Sequence, residues 1–315
     1  MILFTIQLPE PDLRTKSHLV CPLSGSWEQA QDGVPESLWI SETEFLLAKR
    51  RPDHDGLDLY VSDRAGNTRP VSRKLQQAIP DGLTALTSAD PTGRYLLTEE
   101  KGKWMVVGLD GTVLARWRRH AESPWNRAED DYSFVEWSAD GSAIYESEAK
   151  SNSKVLWWVR TLAKPSEEKQ LPTIKLPSTS SWPSPERVFG VNPQMDEPKT
   201  GDIFLLSWGR GQLVLANENH PSEVTTVTPT LSPGTTDAYA YVSPDHRKIL
   251  WQCVAYPARW ASFWITNCYG RDAKPLGHID LRVGNDWQLF GGIQWLPDGK
   301  SFSYTWNRNL YQVQL

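Results

Sequence analysis

A short apolar segment, a tight turn of the type Ser-x-Asp-Gly and a second apolar segment recur along the chain. Each time a strand-like stretch with an aliphatic–aromatic pair follows. The clearest copies are WSADGSAIYESEAKSNSKVLWWVRTL, from Trp137 to Leu162, and WLPDGKSFSYTWNRNLYQVQL, from Trp295 to Leu315. Further copies begin at Trp39, Ala89 and Val242, and the most worn begins at Trp182. The turn positions are Glu42, Thr92, Asp140, Glu186, Asp245 and Asp298, separated by 50, 48, 46, 59 and 53 residues. A period of about 50 residues belongs to propeller blades rather than helical repeats. This repetition constrains the chain more than its length of 315 residues, which alone suggests about two domains.

The turn chemistry fits a hairpin. Asp accepts hydrogen bonds from backbone N–H groups two residues on, and Gly supplies the positive φ that closes the turn. Each unit then reads as four antiparallel strands, a to d. In the third unit these are about Phe134–Trp137, Ala143–Ser147, Val155–Arg160 and Thr173–Leu176. Strand c repeats as Leu59-Tyr60-Val61, Trp104-Met105-Val106, Leu156-Trp157-Trp158, Ile203-Phe204-Leu205, Phe263-Trp264-Ile265 and Leu310-Tyr311-Gln312. Amphipathic helical stretches are nearly absent. The expected fold is all-β: a six-bladed β-propeller of four-stranded antiparallel blades, one domain over residues 1–315. Its units lie near 35–80, 81–130, 131–178, 179–232, 233–284 and 285–315, after a lead-in over 1–34. The last unit stops after strand c at Leu315. The alternating segment Ile2–Leu8 has no unit of its own, so it is expected to complete the last blade and close the ring, which removes an open sheet edge.

SDRAGNTRPVSRKL (62–75), SPDHRKIL (243–250) and LPDGKSF (296–302) resemble the WD40-like, or PD40, repeats of the TolB family. That pattern runs S-P-D-G-K-x-hydrophobic, then D-I-Y-hydrophobic, then D-x-x-G. The resemblance covers about residues 35–315; Thr92 replaces the Asp in the second unit, and Glu186, with no Gly, in the fourth. It implies a propeller. Such families contain binding proteins and the non-catalytic domains of peptidases, so activity has to be argued from a site.

Composition removes other classes. With 39% hydrophobic residues and a net charge of −5, the chain is not disordered. The acidic balance argues against a nucleic-acid partner, and no apolar run is long enough for a membrane helix. No basic residue precedes the apolar start MILFTIQL and Pro9 ends it, so no secretory signal is read there. A cytoplasmic location is expected; the mature form of an exported protein is the alternative. No cofactor and no metal are expected. Cys21, Cys253 and Cys268 lack metal spacing and read as free buried thiols. The six His are scattered through the units, and DHDGLD (53–58) starts like a calcium loop without its late Glu. There is no G-x-S-x-G, phosphate loop or H-E-x-x-H.

Propeller geometry places the a–b and c–d turns on one face, and the b–c loops and d-to-a crossings on the other. The second set is long and irregular, and irregular loops on a rigid scaffold carry function. It is rich in Trp, Tyr and Arg, the residues of binding hot spots. The expected contacts are Arg118, Arg119, Trp125, Tyr256, Arg259, Trp260, Trp287, Trp306 and Arg308. The reading is a non-catalytic binding or scaffold protein for a protein or peptide partner, with carbohydrate as a second ligand class. The alternative is an enzyme, a carbohydrate-active lyase or hydrolase with its site at the channel mouth. Asp53, His54, Asp55, His120 and Asp286 are then the candidate catalytic groups. Of the 16 Trp, Trp39, Trp137 and Trp295 share a register before the a–b turn, with Trp182 one place off, and Trp104, Trp157 and Trp264 share strand c; these are assigned to blade packing, whereas Trp117, Trp125, Trp260, Trp287 and Trp306 are placed on the loop-rich face.

Overall fold

The computed structural model describes residues 12–23, 37–50, 57–80, 87–120, 132–150, 154–175, 187–190, 202–207, 212–217, 219–227, 237–255, 260–280, 290–307 and 309–315. A short 3-10 turn at Leu13–Lys16 leads into β1 (Ser17–Pro22). The first sheet comprises β2 (Ser37–Trp39), β3 (Glu44–Arg50), β4 (Leu57–Asp63) and β5 (Thr68–Pro70). After α1 (Arg73–Ala78) come β6 (Ser88–Ala89), β7 (Tyr95–Glu100), β8 (Lys103–Gly108) and β9 (Val113–Arg118). The next sheet is β10 (Tyr132–Trp137), β11 (Ala143–Lys150), β12 (Lys154–Thr161), β13 (Lys169–Gln170) and β14 (Ile174–Lys175). Then follow β15 (Arg187–Gly190), β16 (Asp202–Ser207), β17 (Gln212–Asn217) and β18 (His220–Val227). The next set is β19 (Asp237–Val242), β20 (Lys248–Ala255), β21 (Trp260–Asn267) and β22 (Lys274–Asp280). The chain ends with β23 (Phe290–Trp295), β24 (Ser301–Trp306) and β25 (Asn309–Gln314).

This is an all-β propeller of antiparallel blades, with one correction to its expected uniformity. Five sheets have four strands, and the sheet of β10–β14 has five. There the outer strand is split: β13 and β14 both pair with β12. Pro172 lies between them and has no N–H to offer a ladder; its carbonyl instead accepts the Trp157 indole N–H at 2.7 Å.

The inner strands contact their neighbours around a ring: β2 meets β23 and β6, β19 meets β23, and β10 meets β15. The core lies between blades. One cluster joins Phe263 and Ile279 to Phe302 and Tyr304, and a second joins Trp39 and Phe45 to Leu296 and Leu310. A third joins Leu97, Trp104 and Trp117 to Trp137 and Ile144. In these clusters a blade buries one face against the next.

The ring closes through the N-terminal part of the chain, but not through the expected segment. β1 pairs with β25, as Ser17↔Val313 through Pro22↔Asn309, and becomes the outer strand of the last sheet. Ile2–Leu8 lies outside the described residues. Periodicity favoured Ile2–Leu8 because its alternation is cleaner; SHLVCP at 17–22 is held by packing of Cys21 and Leu23 in the core instead.

The fourth unit shows a second correction. Ile203-Phe204-Leu205 belongs to β16, the second strand of its sheet, so the third is β17. Glu186 precedes β15 instead of sitting between the first two strands. The missing Gly and the spacing of 59 residues were the marks of this displaced register. A third correction is α1, which the strand pattern did not predict. Ser72 caps it by accepting from the Leu75 N–H at 3.1 Å. Gln76 then bonds the Leu59 N–H and the Leu57 carbonyl, supplying the partners that a longer β5 would have given β4.

The a–b turns are closed by their own side chains. Asp140 accepts from Ser138 Oγ at 2.7 Å and the Ser142 N–H at 2.9 Å, while Ser138 Oγ accepts from the Ala143 N–H. Asp245 and Ser243 repeat this, with His246 at φ +54° where Gly141 and Gly299 stand in other blades. In the second blade the carboxylate is Asp90, two places before Thr92; it takes the N–H groups of Arg94 and Tyr95, both at 2.7 Å. Gly93 in this turn has φ +68°, and a Cβ there would stand 1.9 Å from the Ile40 carbonyl oxygen of the neighbouring blade. Gly102 has a similar φ of +76° with nothing near. Both Gly→Ala changes carry the left-handed backbone penalty of about 1–2 kcal/mol. Gly93→Ala adds overpacking of about 1–3 kcal/mol, so denaturant unfolding should rank it clearly below Gly102→Ala.

The a–b and c–d turns together predict an acid response. Asp63 is held below the usual carboxylate range by Asn67, and Asp110 by the Thr112 N–H. At Asp140 burial pushes upward, but hydrogen bonds from Ser142 and Ser138 prevail and leave it lowered. A folded pKa below the unfolded one gives stability that is complete above about pH 4 and lost as pH falls through the folded value. The melting midpoint should therefore drop between about pH 4 and 2, and the Asp63→Asn, Asp110→Asn, Asp140→Asn triple variant should show a flatter profile in that window.

Cys21, Cys253 and Cys268 are free and buried, as the spacing implied. Burial pushes their thiols up to about 11, 12 and 12 respectively. Among the described residues no helix is long and apolar enough to cross a membrane.

Candidate functional site

The inner strands β2, β6, β10, β19 and β23 line a central cavity of about 340 Å³. Its wall includes Trp39, Trp104, Tyr241 and Trp295, and the turn prolines Pro91, Pro244 and Pro297. Those prolines place it toward the a–b turn end of the channel, away from the loop-rich face. Among the described residues its wall has two carboxylates, Asp90 and Glu136, and no Lys, Arg or His. Asp90 is committed to its turn: both oxygens accept from Thr92, Arg94 or Tyr95.

A second constellation lies between the blades of β6–β9 and β10–β14. Glu146 on β11 is 2% exposed. Its carboxylate accepts from Trp104 Nε1 at 3.2 Å, Trp117 Nε1 at 2.9 Å and the His120 N–H at 3.0 Å. His120 follows the end of β9 and stacks on Trp158 of β12, with centroids 3.7 Å apart and planes 5° from parallel. Its Nε2 is 2.9 Å from Glu168 Oε2 and 3.9 Å from Glu146 Oε2. Glu168, just before β13, also pairs with Arg160, whose guanidinium lies 5.0 Å over the Trp117 ring. The ring of His120 is thus fixed by stacking, and both carboxylates are held by donors from other elements.

The expected contact residues are distributed unevenly. Arg118 is exposed at the end of β9. Trp260, Trp306 and Arg119 are buried, at 4%, 6% and 8% exposure. Trp306 sits beneath Arg14, and Arg119 lies 4.8 Å over Trp104 with a 2.8 Å ion pair to Glu99. These three serve packing between strands, so the surface they can offer a partner is small. Trp117, also placed on the loop face by its sequence position, is buried in β9. Trp125, Tyr256, Arg259, Trp287 and Arg308 lie outside the described residues, as do Asp53, His54, Asp55 and Asp286. Of the candidate catalytic groups only His120 is described, and it meets Glu146 and Glu168. Neither glutamate stood out in the sequence. Glu146 lies in a strand of mixed residues, and Glu168 lies in PSEEKQ, which reads as a solvated loop.

No family profile matches the chain, and no curated protein does. Solved structures resemble it in fold. A TolB protein of Agrobacterium tumefaciens has 13% identity and a TM-score of 0.50, over 89% of this chain and 90% of that one. An oligogalacturonate lyase of Vibrio parahaemolyticus has 11% identity and a TM-score of 0.46, over 94% and 91%. A protein of Lactobacillus plantarum has 12% identity and a TM-score of 0.44, over 85% and 76%. The likeness to TolB-like propellers read from the repeats is therefore present in the fold, and at these identities it concerns the fold alone.

Proposed function

We propose that the chain is a non-catalytic binding or scaffold propeller that recognises a protein or peptide partner through its b–c loops and d-to-a crossings. On this reading the five-stranded sheet serves as the sixth blade beside the five four-stranded ones. The observation that carries this reading is where four of the described carboxylates on the turn face and channel wall are spent. Asp63, Asp90, Asp110 and Asp140 all close their own turns. A general acid or base needs a carboxyl free to reach substrate. Recognition is then left to the irregular loops, beside which Arg118 is exposed at the end of β9. The test is affinity purification from the native host, followed by measured affinity of the recovered partner for the Arg118→Ala and Trp125→Ala variants. A hot-spot loss of about 2 kcal/mol, or roughly 30-fold, is expected in at least one. Unchanged affinity in both overturns the reading.

A carbohydrate-active enzyme is the second reading, and His120 between two glutamates supports it. The wild-type chain would then turn over members of an oligosaccharide panel and His120→Gln would not; a wild-type chain that turns over none of the panel counts against it.

A further inference from the structure

We propose that His120, Glu146 and Glu168 form a zinc-binding site that ties the second and third blades together. The inference is independent of the partner-binding reading, and it departs from the sequence expectation of no metal. The three side chains come from a d-to-a crossing, a core strand and a c–d loop, so only the folded ring assembles them. Their ligand atoms all lie within 4.8 Å of one another. Bonds of about 2.0–2.2 Å at tetrahedral angles place zinc ligands roughly 3.3 Å apart. The two separations at His120 Nε2, 2.9 and 3.9 Å, bracket that value, and the two carboxylates, within 4.8 Å of each other, have to draw together around the ion.

The surroundings prepare the ligands. Stacking on Trp158 holds the imidazole with Nε2 toward both carboxylates. The indole N–H groups of Trp104 and Trp117 orient Glu146, the kind of outer support that metal ligands use. His120 binds as the neutral imidazole with its proton on Nδ1, and the ion takes the place now occupied by the contact between Nε2 and Glu168. A carboxylate offers about four lone-pair sites, so Glu168 can keep Arg160 while it ligates. Glu146 is buried whereas the side chains of His120 and Glu168 are 27% and 24% exposed, which gives the ion an entry path. One nitrogen and two carboxylate oxygens suit zinc and leave a fourth position for water.

The full chain, stripped with chelator and dialysed, is titrated with Zn²⁺ by calorimetry, and its melting midpoint is read with and without the ion. The same is done for His120→Ala and Glu168→Gln, each first checked for a native circular dichroism spectrum. The expected result is a site in the wild type whose affinity falls about tenfold or more in both variants, with a zinc-induced rise in midpoint that both variants lose. Should His120→Ala not fold, Glu168→Gln, at an accessible loop position, decides alone. Absence of zinc binding by the wild type, or undiminished binding by a folded variant, overturns the proposal.

Discussion

Removing residues 1–23 should leave a chain that no longer folds cooperatively. The deletion takes β1 from the last sheet and leaves β25 as an open edge, a template for pairing with other chains. It also removes Leu13, Cys21 and Leu23, all buried in the clusters that join the last sheet to its two neighbours. Leu13 and Leu23 alone represent about 1.5–3 kcal/mol each in burial. The lost ladder and the 2.8 Å hydrogen bond between Ser17 Oγ and the Tyr304 hydroxyl add to this, against a total stability of about 5–15 kcal/mol. The expected observation is loss of a sigmoidal melt by circular dichroism, with recovery in the insoluble fraction. Removing only residues 1–11 should leave the melt intact, because β1 already fills the outer place of the last sheet. An intact melt after the longer deletion would mean that the ring does not depend on this closure.

The second large effect is expected at Trp104. Its side chain is fully buried, lines the channel cavity, lies under Arg119 and donates to Glu146. Trp104→Ala should cost about 3–5 kcal/mol through the cavity it leaves. At about 2–4 °C per kcal/mol for a domain this large, the midpoint should fall by roughly 10 °C. Trp104→Phe keeps a packed aromatic ring but loses the indole N–H and part of the ring volume, so it should cost less, about 1–3 kcal/mol, chiefly from the acceptor left short of a donor. Equal losses in the two variants would show that the hydrogen bond, not the packed ring, dominates.

Local pattern and distant packing were unequally legible in the sequence. Turns were readable because Asp140, Asp245 and Asp298 sit at fixed offsets from the strands they join, and a hairpin's chemistry is contained within about six residues. Strand c was readable for the same reason wherever its aromatic pair survived. The fourth unit was not, since its turn had lost both the Gly and the Asp. The closing strand was misplaced because alternation in Ile2–Leu8 says nothing about which segment can reach β25. Trp117, Trp260 and Trp306 were assigned to a surface by their position near loops, whereas strand ends in a propeller still pack against the next blade. The His120–Glu146–Glu168 group was hidden most completely. Its members are 22 to 48 residues apart, and two blades must dock before they meet.

Hydrogen exchange of the chain alone and with its captured partner tests the binding account most directly. The account predicts new protection in the b–c and d-to-a segments, at residues 51–56, 121–131, 256–259 and 281–289 in whichever subset the partner covers. The a–b turns around Glu42, Asp140, Asp245 and Asp298 should exchange as before. Protection confined to those turns, with the loop segments unchanged, would contradict it.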